Sequence, residues 1–228
     1  MKSPNVFEIQ YLKSGFNSQR MYPNESLISF LGTNYFHLSK EDRGEIKILE
    51  LGCGSGANLW MIAYEGFNTY GIDFSQAGIQ YCKEMLERRN VTAFLKKEDM
   101  TNLSFDDLTF DVIIDVVSMQ HLTYDQHIIC YNEIYRCLRP KGKFFSYHLG
   151  ENSISLKSSK QMIDHCTISN IEKGFPLAEN GQTCFISANE VRKELGKIGF
   201  EHVVIDKVIK SYSDQTQYIE YLGIVAEK

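Results

Sequence analysis

The run Ile48-Leu49-Glu50-Leu51-Gly52-Cys53-Gly54-Ser55-Gly56-Ala57 decides the fold of this chain. Its apolar opening predicts a buried β-strand. The alternating glycines that follow allow a tight turn and a close approach of the backbone to a ligand. The next segment, Asn58–Glu65, has an apolar face and stops at Gly66, as a helix would. A strand, a glycine turn and a helix together predict a ligand site on an α/β fold.

Outward from this run, strand-like segments alternate with helical ones. The strand candidates are Ile46–Leu51, Thr69–Asp73, Thr92–Lys96, Phe110–Val117 and Gly142–His148. Helices between and after them are indicated by the stripe Ile79, Cys82 and Leu86, and by capping-box patterns that begin at Thr123 and Ser187. This alternation predicts a mostly parallel sheet with helices on both faces.

The last two strand candidates, His202–Lys210 and Tyr218–Glu227, are joined by a link that is too short for a parallel crossover. We therefore expect an antiparallel hairpin at the end of the sheet.

Two segments lie outside this pattern. Residues 1–45 predict two helices, the second after Pro23-Asn24, and residues 149–186 form an insertion long enough to act as a lid or a binding loop. We expect one domain over 1–228. It would consist of a helical cap (1–45), a ligand-binding core (46–148), a substrate lid (149–186), and a C-terminal helix with the reversed hairpin (187–228).

The composition and net charge of the chain argue against several classes of function. With 228 residues, 43% of them hydrophobic, the chain can bury one full core, and it has no apolar run long enough to span a bilayer. A net charge of −5 argues against a nucleic-acid partner, which would require clustered basic residues. The six cysteines form no C-x-x-C pair, which favours reduced thiols over disulfides or a zinc site, and hence a cytoplasmic protein without a metal.

The glycine turn alone is ambiguous, because Gly52, Gly54 and Ala57 also satisfy the dinucleotide fingerprint G-x-G-x-x-G/A of nicotinamide-dependent oxidoreductases. The surrounding motifs resemble those of class I S-adenosylmethionine-dependent methyltransferases. The resemblance covers residues 46–148 and the C-terminal hairpin. The matching segments are Glu50–Gly56, Gly71–Ser75, Glu98–Met100, Phe110–Asp115, Ser118–Leu122 and Leu138–Gly142, the last with Lys141 in place of a glycine.

This resemblance implies a seven-stranded, mostly parallel sheet in the order 3-2-1-4-5-7-6, with the last strand antiparallel, and S-adenosyl-L-methionine as cofactor. Asp73 would bind the ribose hydroxyls, with capping of the next helix as the alternative. Asp99 would bind the adenine amino group or lie in a solvated loop, and Glu50 would contact the methionine moiety or only brace the turn. Asp115 would contact the methionine moiety or only hydrate the cleft, and Phe74 and Met100 would sandwich adenine or belong to the core. The turn itself is formed by Gly52, Cys53, Gly54 and Gly56.

Catalysis requires a general base only if the methyl acceptor keeps its proton at neutral pH. His121 and His148 follow the fourth and fifth strands and are the candidates, with a purely structural role as the alternative for each.

The N/D-P-P-Y/F motif of nucleic-acid amino-methyltransferases is absent after the fourth strand, which favours a small-molecule O or N acceptor. The insertion, with Phe175, Cys184 and Phe185, would supply acceptor specificity. Similarity to small-molecule members also makes Tyr11, Arg20 and Tyr22 candidates for cofactor contacts, with packing or exposure as the alternative. A non-catalytic S-adenosylmethionine-binding subunit and a macromolecular methyltransferase remain open as alternatives.

Overall fold

A computed structural model describes residues 6–18, 20–158, 161–178 and 180–228. The strands of the main sheet are β1 (Lys47–Leu51), β2 (Asn68–Asp73), β3 (Phe94–Lys97), β4 (Phe110–Val116), β5 (Leu138–Leu149), β8 (Glu201–Tyr212) and β9 (Gln217–Glu227). Two short strands, β6 (Thr167–Ile168) and β7 (Thr183–Cys184), pair in a separate small sheet that was not predicted.

The main sheet has the order β3-β2-β1-β4-β5-β9-β8. Strands β1 to β5 pair in parallel, whereas β9 runs antiparallel to both β5 and β8. When the strands of this sheet are numbered among themselves, the order is the expected 3-2-1-4-5-7-6. The predicted α/β class and the reversed hairpin are therefore confirmed.

The helices are α1 (Val6–Ser14), α2 (Glu25–Tyr35), α3 (Lys40–Gly44), α4 (Leu59–Tyr64), α5 (Gln76–Arg88), α6 (Tyr124–Cys137) and α7 (Ala188–Ile198), with 3-10 turns at Gly15–Ser18, Met119–His121 and Ile154–Lys157. Both predicted capping boxes form, at Thr123 and at Ser187. The prediction of two helices before β1 missed the short α3. Within the described ranges, no helix combines the length and apolarity that crossing a bilayer demands.

The core lies on both faces of the sheet, because successive residues of a strand point to opposite sides. On β4, Ile113 packs into a cluster with residues of α6 and α7, while its neighbours Val112 and Ile114 pack into a cluster with residues of α2 and α4. Burial on both faces explains why β4 reads as a nearly continuous apolar run.

The start of β5 differs from the prediction. The strand begins at Leu138 rather than Gly142, and its pairing with β4 shifts register between Phe110 and Val112. Lys141 lies in this irregularity with a φ of +66°. This is a conformation that favours glycine, the residue that the family pattern places there.

Candidate functional site

The carboxyl ends of β1, β2 and β4 lie side by side, because these strands pair in parallel. The turn after β1 begins at Gly52, whose φ is +62°. A Cβ atom on Gly52 would lie 1.6 Å from Oγ of Ser118, in the segment that follows β4. The backbone N–H of Cys53 donates to the carbonyl oxygen of Ile72 on β2 at 2.8 Å. The turn is thus fixed between β2 and the segment after β4, in a space that only glycine fits.

Asp73 ends β2 directly beside this turn. Its Oδ2 accepts a hydrogen bond from the Gly54 N–H at 2.8 Å, and its Oδ1 accepts one from the Ser75 N–H at 2.7 Å. The Ser75 hydroxyl caps α5, so Asp73 is not needed for that role. Burial raises the pKa of Asp73, and the two N–H donors oppose this rise. Each carboxylate oxygen has lone pairs left for further donors such as sugar hydroxyls.

Glu50 lies beneath the turn and is 2% exposed. Its Oε1 accepts a hydrogen bond from Nδ2 of Asn58 at 2.6 Å, while its Oε2 is buried with no hydrogen-bond partner among the described residues. Burial raises the pKa of Glu50 to about 8, although Asn58 and the nearby Arg20 oppose the rise. An unpartnered buried carboxylate oxygen is costly, and it calls for a cationic or N–H donor at this point.

Asn58 is a functional residue that the sequence analysis missed. We expected it to open a helix, yet its side chain makes no capping hydrogen bond. Its Oδ1 instead accepts from Nη2 of Arg20 at 3.1 Å and from the Asn24 N–H at 2.9 Å. Asn58 therefore connects the N-terminal segment to Glu50 and places the guanidinium of Arg20 near that carboxylate.

Helix α1 covers the outer side of the glycine turn. Tyr11 is 5% exposed, and its hydroxyl lies 2.7 Å from the position that a Cβ on Gly54 would take. Burial raises the pKa of Tyr11, and Asp73 adds to the rise, which places the ring beside that carboxylate. The Glu8 carboxylate accepts from the Ser75 hydroxyl and from the Ala77 N–H at the start of α5.

The predicted cofactor contacts of Tyr11 and Arg20 thus lie near the turn. Tyr22 is 65% exposed, and its ring packs against the Arg89 guanidinium at 5.4 Å from the ring centroid.

The predicted adenine residues follow β2 and β3. Asp99 forms an Asx-type turn, in which Oδ1 accepts from the N–H and the hydroxyl of Thr101 at 3.0 and 2.7 Å. Phe74 is 47% exposed. Met100 packs partly into the core, and its methyl group lies 3.5 Å from the Cβ position on Gly52. Met100 thus lies beside the glycine turn, and the adenine contacts of Phe74 and Met100 stay predictions.

Asp115 accepts hydrogen bonds from the protein itself, and its contact with the methionine moiety stays a prediction. Its side chain is fully buried, with Oδ1 accepting from the N–H groups of Ser118 and Met119 at 3.0 and 2.9 Å. Its Oδ2 accepts from the Ser146 hydroxyl at 2.7 Å. Because these donors come from the protein itself, Asp115 holds the turn after β4 in place, and Val117 within this turn has a strained φ of +55°.

The two histidines predicted as bases differ in their surroundings. His121 lies at the end of the turn after β4, partly buried, and contacts Gln120 and Gln182. His148 is fully buried, with Nε2 at 2.9 Å from Nε2 of His127 and Nδ1 at 2.9 Å from the Leu149 carbonyl oxygen. Both nitrogens of each histidine contact protein groups, so these contacts do not separate the two candidates. His148 is fully buried, whereas His121 is partly buried in the turn whose Ser118 faces Gly52.

One group of potential metal ligands lies away from this site. Suitable atoms of Asp164, His165 and Cys166 come within 4.8 Å of one another. The Asp164 carboxylate, however, already accepts from the N–H groups of Tyr124, Cys166 and Thr167, which gives it a structural role at the start of α6.

The fold has the pattern that the sequence resemblance implied. The sheet has the expected order with a reversed hairpin, and carboxylates flank a glycine turn at the switch point between β1 and β4. A family profile described as "Methyltransferase domain" matches residues 48–142. This segment, from β1 to the start of β5, is therefore similar to methyltransferase domains.

Among curated proteins, the chain is 25% identical over 186 residues to a tRNA N(3)-methylcytidine methyltransferase of Schizosaccharomyces pombe, covering 77% of this chain and 58% of that protein. It is 25% identical over 217 residues to a sterol 24-C-methyltransferase of Saccharomyces cerevisiae, covering 92% of this chain and 54% of that protein. The chain thus spans little more than half the length of these relatives.

Among solved structures, the fold is similar to that of phosphoethanolamine N-methyltransferase 2 of Haemonchus contortus in complex with S-adenosyl-L-methionine. The TM-score is 0.70 at 14% identity, over 100% of this chain and 60% of that one. A methyltransferase of Methanosarcina mazei gives a TM-score of 0.66 at 20% identity, over 92% and 99% of the two chains.

Proposed function

We propose that this chain transfers a methyl group from S-adenosylmethionine to an oxygen or nitrogen atom of a small molecule. The observation that carries the proposal is the buried, unpartnered Oε2 of Glu50 beside the glycine turn and Asp73. When bound, the cofactor supplies a methyl group that is activated on a sulfonium. Asp73 would hold its ribose, Glu50 its ammonium group and Arg20 its carboxylate, while Asp99, Phe74 and Met100 would contact its adenine.

The fit is chemical as well as spatial. A dinucleotide would bring a pyrophosphate to the glycine turn, where the Asp73 carboxylate would repel it. A zwitterionic amino acid joined to a nucleoside instead provides a cation for Glu50, an anion for Arg20 and two hydroxyls for Asp73. The donors and acceptors of the site therefore favour S-adenosylmethionine over a nicotinamide cofactor.

In methyl transfer, the work of this chain is to position the acceptor, exclude water and take up a proton. His121 is the candidate base, since it lies partly buried in the turn after β4, where its backbone N–H donates to the Ser118 carbonyl oxygen at 3.1 Å. Burial lowers the pKa of His121 to about 4, so its imidazole is neutral near pH 7 and has a lone pair to accept a proton.

The named relatives act on different acceptors, a tRNA cytidine and a sterol among them. A small molecule is supported here by the net charge of −5, which provides little attraction for RNA. A cytoplasmic location is supported by the free thiols of all six cysteines.

The cofactor part is tested by calorimetric titration with S-adenosylhomocysteine. Asp73→Ala should lower affinity about 10²–10⁴-fold, since two hydrogen bonds to a charged group are worth about 1.5–3 kcal/mol each. Asp73→Asn, which can still accept from one N–H, should have an intermediate effect. Asp206→Ala, on the exposed strand β8, is the matched control. Equal affinities for Asp73→Ala and the control would refute the ribose role.

The acceptor part is tested by release of S-adenosylhomocysteine with small amines, phenols, a sterol and unmodified tRNA as substrates. Turnover with an amine or a phenol supports the proposal. Turnover with tRNA alone would assign a macromolecular acceptor, and turnover with the sterol alone would assign a carbon acceptor. If the cofactor binds but no substrate in a broad panel turns over, the non-catalytic binding subunit becomes the better description.

A further inference from the structure

Both ring nitrogens of His121 contact glutamine residues from different parts of the chain. Nδ1 lies 2.9 Å from the backbone carbonyl oxygen of Gln182, and Nε2 lies 3.2 Å from the side-chain Nε2 of Gln120. A carbonyl oxygen can only accept, so the hydrogen of the neutral ring is on Nδ1. An amide nitrogen can only donate, so Nε2 of His121 is the acceptor. The two contacts together select one tautomer, with its basic nitrogen at Nε2.

Gln182 makes a second contact with the same residue. Its side-chain Nε2 donates to the backbone carbonyl oxygen of His121 at 2.9 Å. Gln182 lies immediately before β7, in the insertion that follows β5. The reciprocal pair of hydrogen bonds therefore joins the insertion to the turn after β4.

Gln120 has an unusual environment for an amide. It is 5% exposed, and its Oε1 is buried without any hydrogen-bond partner in the described part of the chain. Leaving a buried acceptor unpaired is costly, so a role for this oxygen is expected. A half-turn of the amide would exchange its nitrogen and oxygen and bring Oε1 to the Nε2 of His121.

We propose that Gln120 and Gln182 are positioning residues for His121. The side chain of Gln182 holds its own backbone carbonyl oxygen against Nδ1 and so fixes the hydrogen there. When the acceptor binds, Gln120 turns its amide nitrogen away from the lone pair of Nε2, and its Oε1 accepts a hydrogen bond from Nε2–H once the ring has taken a proton. That proton leaves the O–H or N–H of the acceptor for Nε2 of His121. The acceptor atom forms its bond to the methyl carbon, and the carbon–sulfur bond breaks with its electron pair remaining on sulfur. The inference rests on the proposed function of His121.

Other titratable groups also face this turn. Asp115 of β4 accepts from the Met119 N–H, and His148 of β5, with His127 of α6 behind it, is electrostatically coupled to His121. These groups are the same in every variant below, so differences between variants report on the glutamines.

The test uses the full chain labelled with ¹⁵N-histidine and long-range ¹H–¹⁵N spectra over a pH series, with His121→Gln to assign the signals. The wild-type His121 should be neutral near pH 7 with hydrogen on Nδ1. Gln182→Ala keeps the backbone carbonyl oxygen that faces Nδ1 but removes the side-chain hydrogen bond that holds it there, so it should give a mixture of tautomers. Gln182→Glu, which keeps the chain length but loses the donor, is the second variant if Gln182→Ala does not fold. Gln120→Glu places a carboxylate beside Nε2 and should raise the His121 pKa by about 1–3 units.

Gln80→Ala, on the exposed face of α5, is the matched control and should leave the His121 signals unchanged. Hydrogen on Nε2 in the wild type, or an unchanged pKa in Gln120→Glu, would overturn the inference. Titration with S-adenosylhomocysteine on the same samples separates the two proposals. Normal cofactor binding with the wrong tautomer refutes only the role of the glutamines, whereas absent cofactor binding refutes the proposed function.

Discussion

Replacing Gly52 by alanine tests the geometry of the glycine turn. With a φ of +62°, alanine at this position costs roughly 1–2 kcal/mol in backbone strain. The added Cβ would lie 1.6 Å from Oγ and 2.6 Å from Cβ of Ser118. Rotating the Ser118 hydroxyl removes only the first overlap, so the backbone must move, and overpacking of this kind costs about 1–3 kcal/mol. We expect a total loss of about 2–5 kcal/mol in the free energy of unfolding.

Urea denaturation measures this loss, and titration with S-adenosylhomocysteine measures the accompanying loss of cofactor affinity. Gly196→Ala is the matched control, because a Cβ on Gly196 in α7 would meet no atom within 4 Å. That substitution should stabilise the protein by about 0.5–1 kcal/mol. The double variant Gly52→Ala with Ser118→Gly removes the overlap but keeps the strain, so it should recover part of the loss. Wild-type stability and affinity in Gly52→Ala would show that the turn is not constrained as described.

Three further predictions follow from particular groups. First, the pKa of Glu50 is raised to about 8, so its carboxyl group is largely protonated near neutral pH. Binding of the cofactor ammonium should therefore release a proton, and the affinity for the cofactor should rise from about pH 6 to about pH 8. Calorimetry in buffers of different ionisation enthalpy measures this proton release, and Glu50→Gln should abolish it. The same proton release from the variant would contradict the role of Glu50 in binding the ammonium group. Because its folded-state pKa is raised, Glu50 should also make the unliganded protein less stable as pH rises towards about 8, which denaturation at two pH values checks. Second, Lys141→Gly should raise the free energy of unfolding by about 1 kcal/mol because the φ of Lys141 is positive, and a lower melting temperature would count against this reading. Third, His121→Ala should lower turnover on the acceptor by about 10²–10⁴-fold while sparing cofactor affinity, and normal turnover would leave His121 as packing.

The sequence predicted the sheet well because its strongest signals are local. Buried parallel strands read as apolar runs, and the capping residues Thr123 and Ser187 mark helix starts that packing did not alter. The start of β5 was less predictable, because Pro140 suggested that the strand begins after it. The strand instead runs through Pro140, with a shift in its register against β4. The small β6–β7 sheet was missed because strands of two residues have no detectable period.

Site residues were predictable where the backbone alone brings them together. Gly52 and Asp73 meet because parallel strands end at the same edge. The side chain of Asn58 hydrogen-bonds to Arg20 and Glu50 rather than capping its own helix. No pattern in the sequence indicates these hydrogen bonds. For Asp115, the sequence did not indicate the three internal hydrogen bonds that hold the turn after β4, and its contact with a ligand stays a prediction.

The central claim is that the carboxylates beside the glycine turn bind a sulfonium nucleoside. Parallel calorimetric titrations of the wild-type chain with S-adenosylhomocysteine and with NADH test it most directly. We predict saturable binding of S-adenosylhomocysteine at one site and no heat from NADH. Binding of NADH, or no binding of S-adenosylhomocysteine, would contradict the claim.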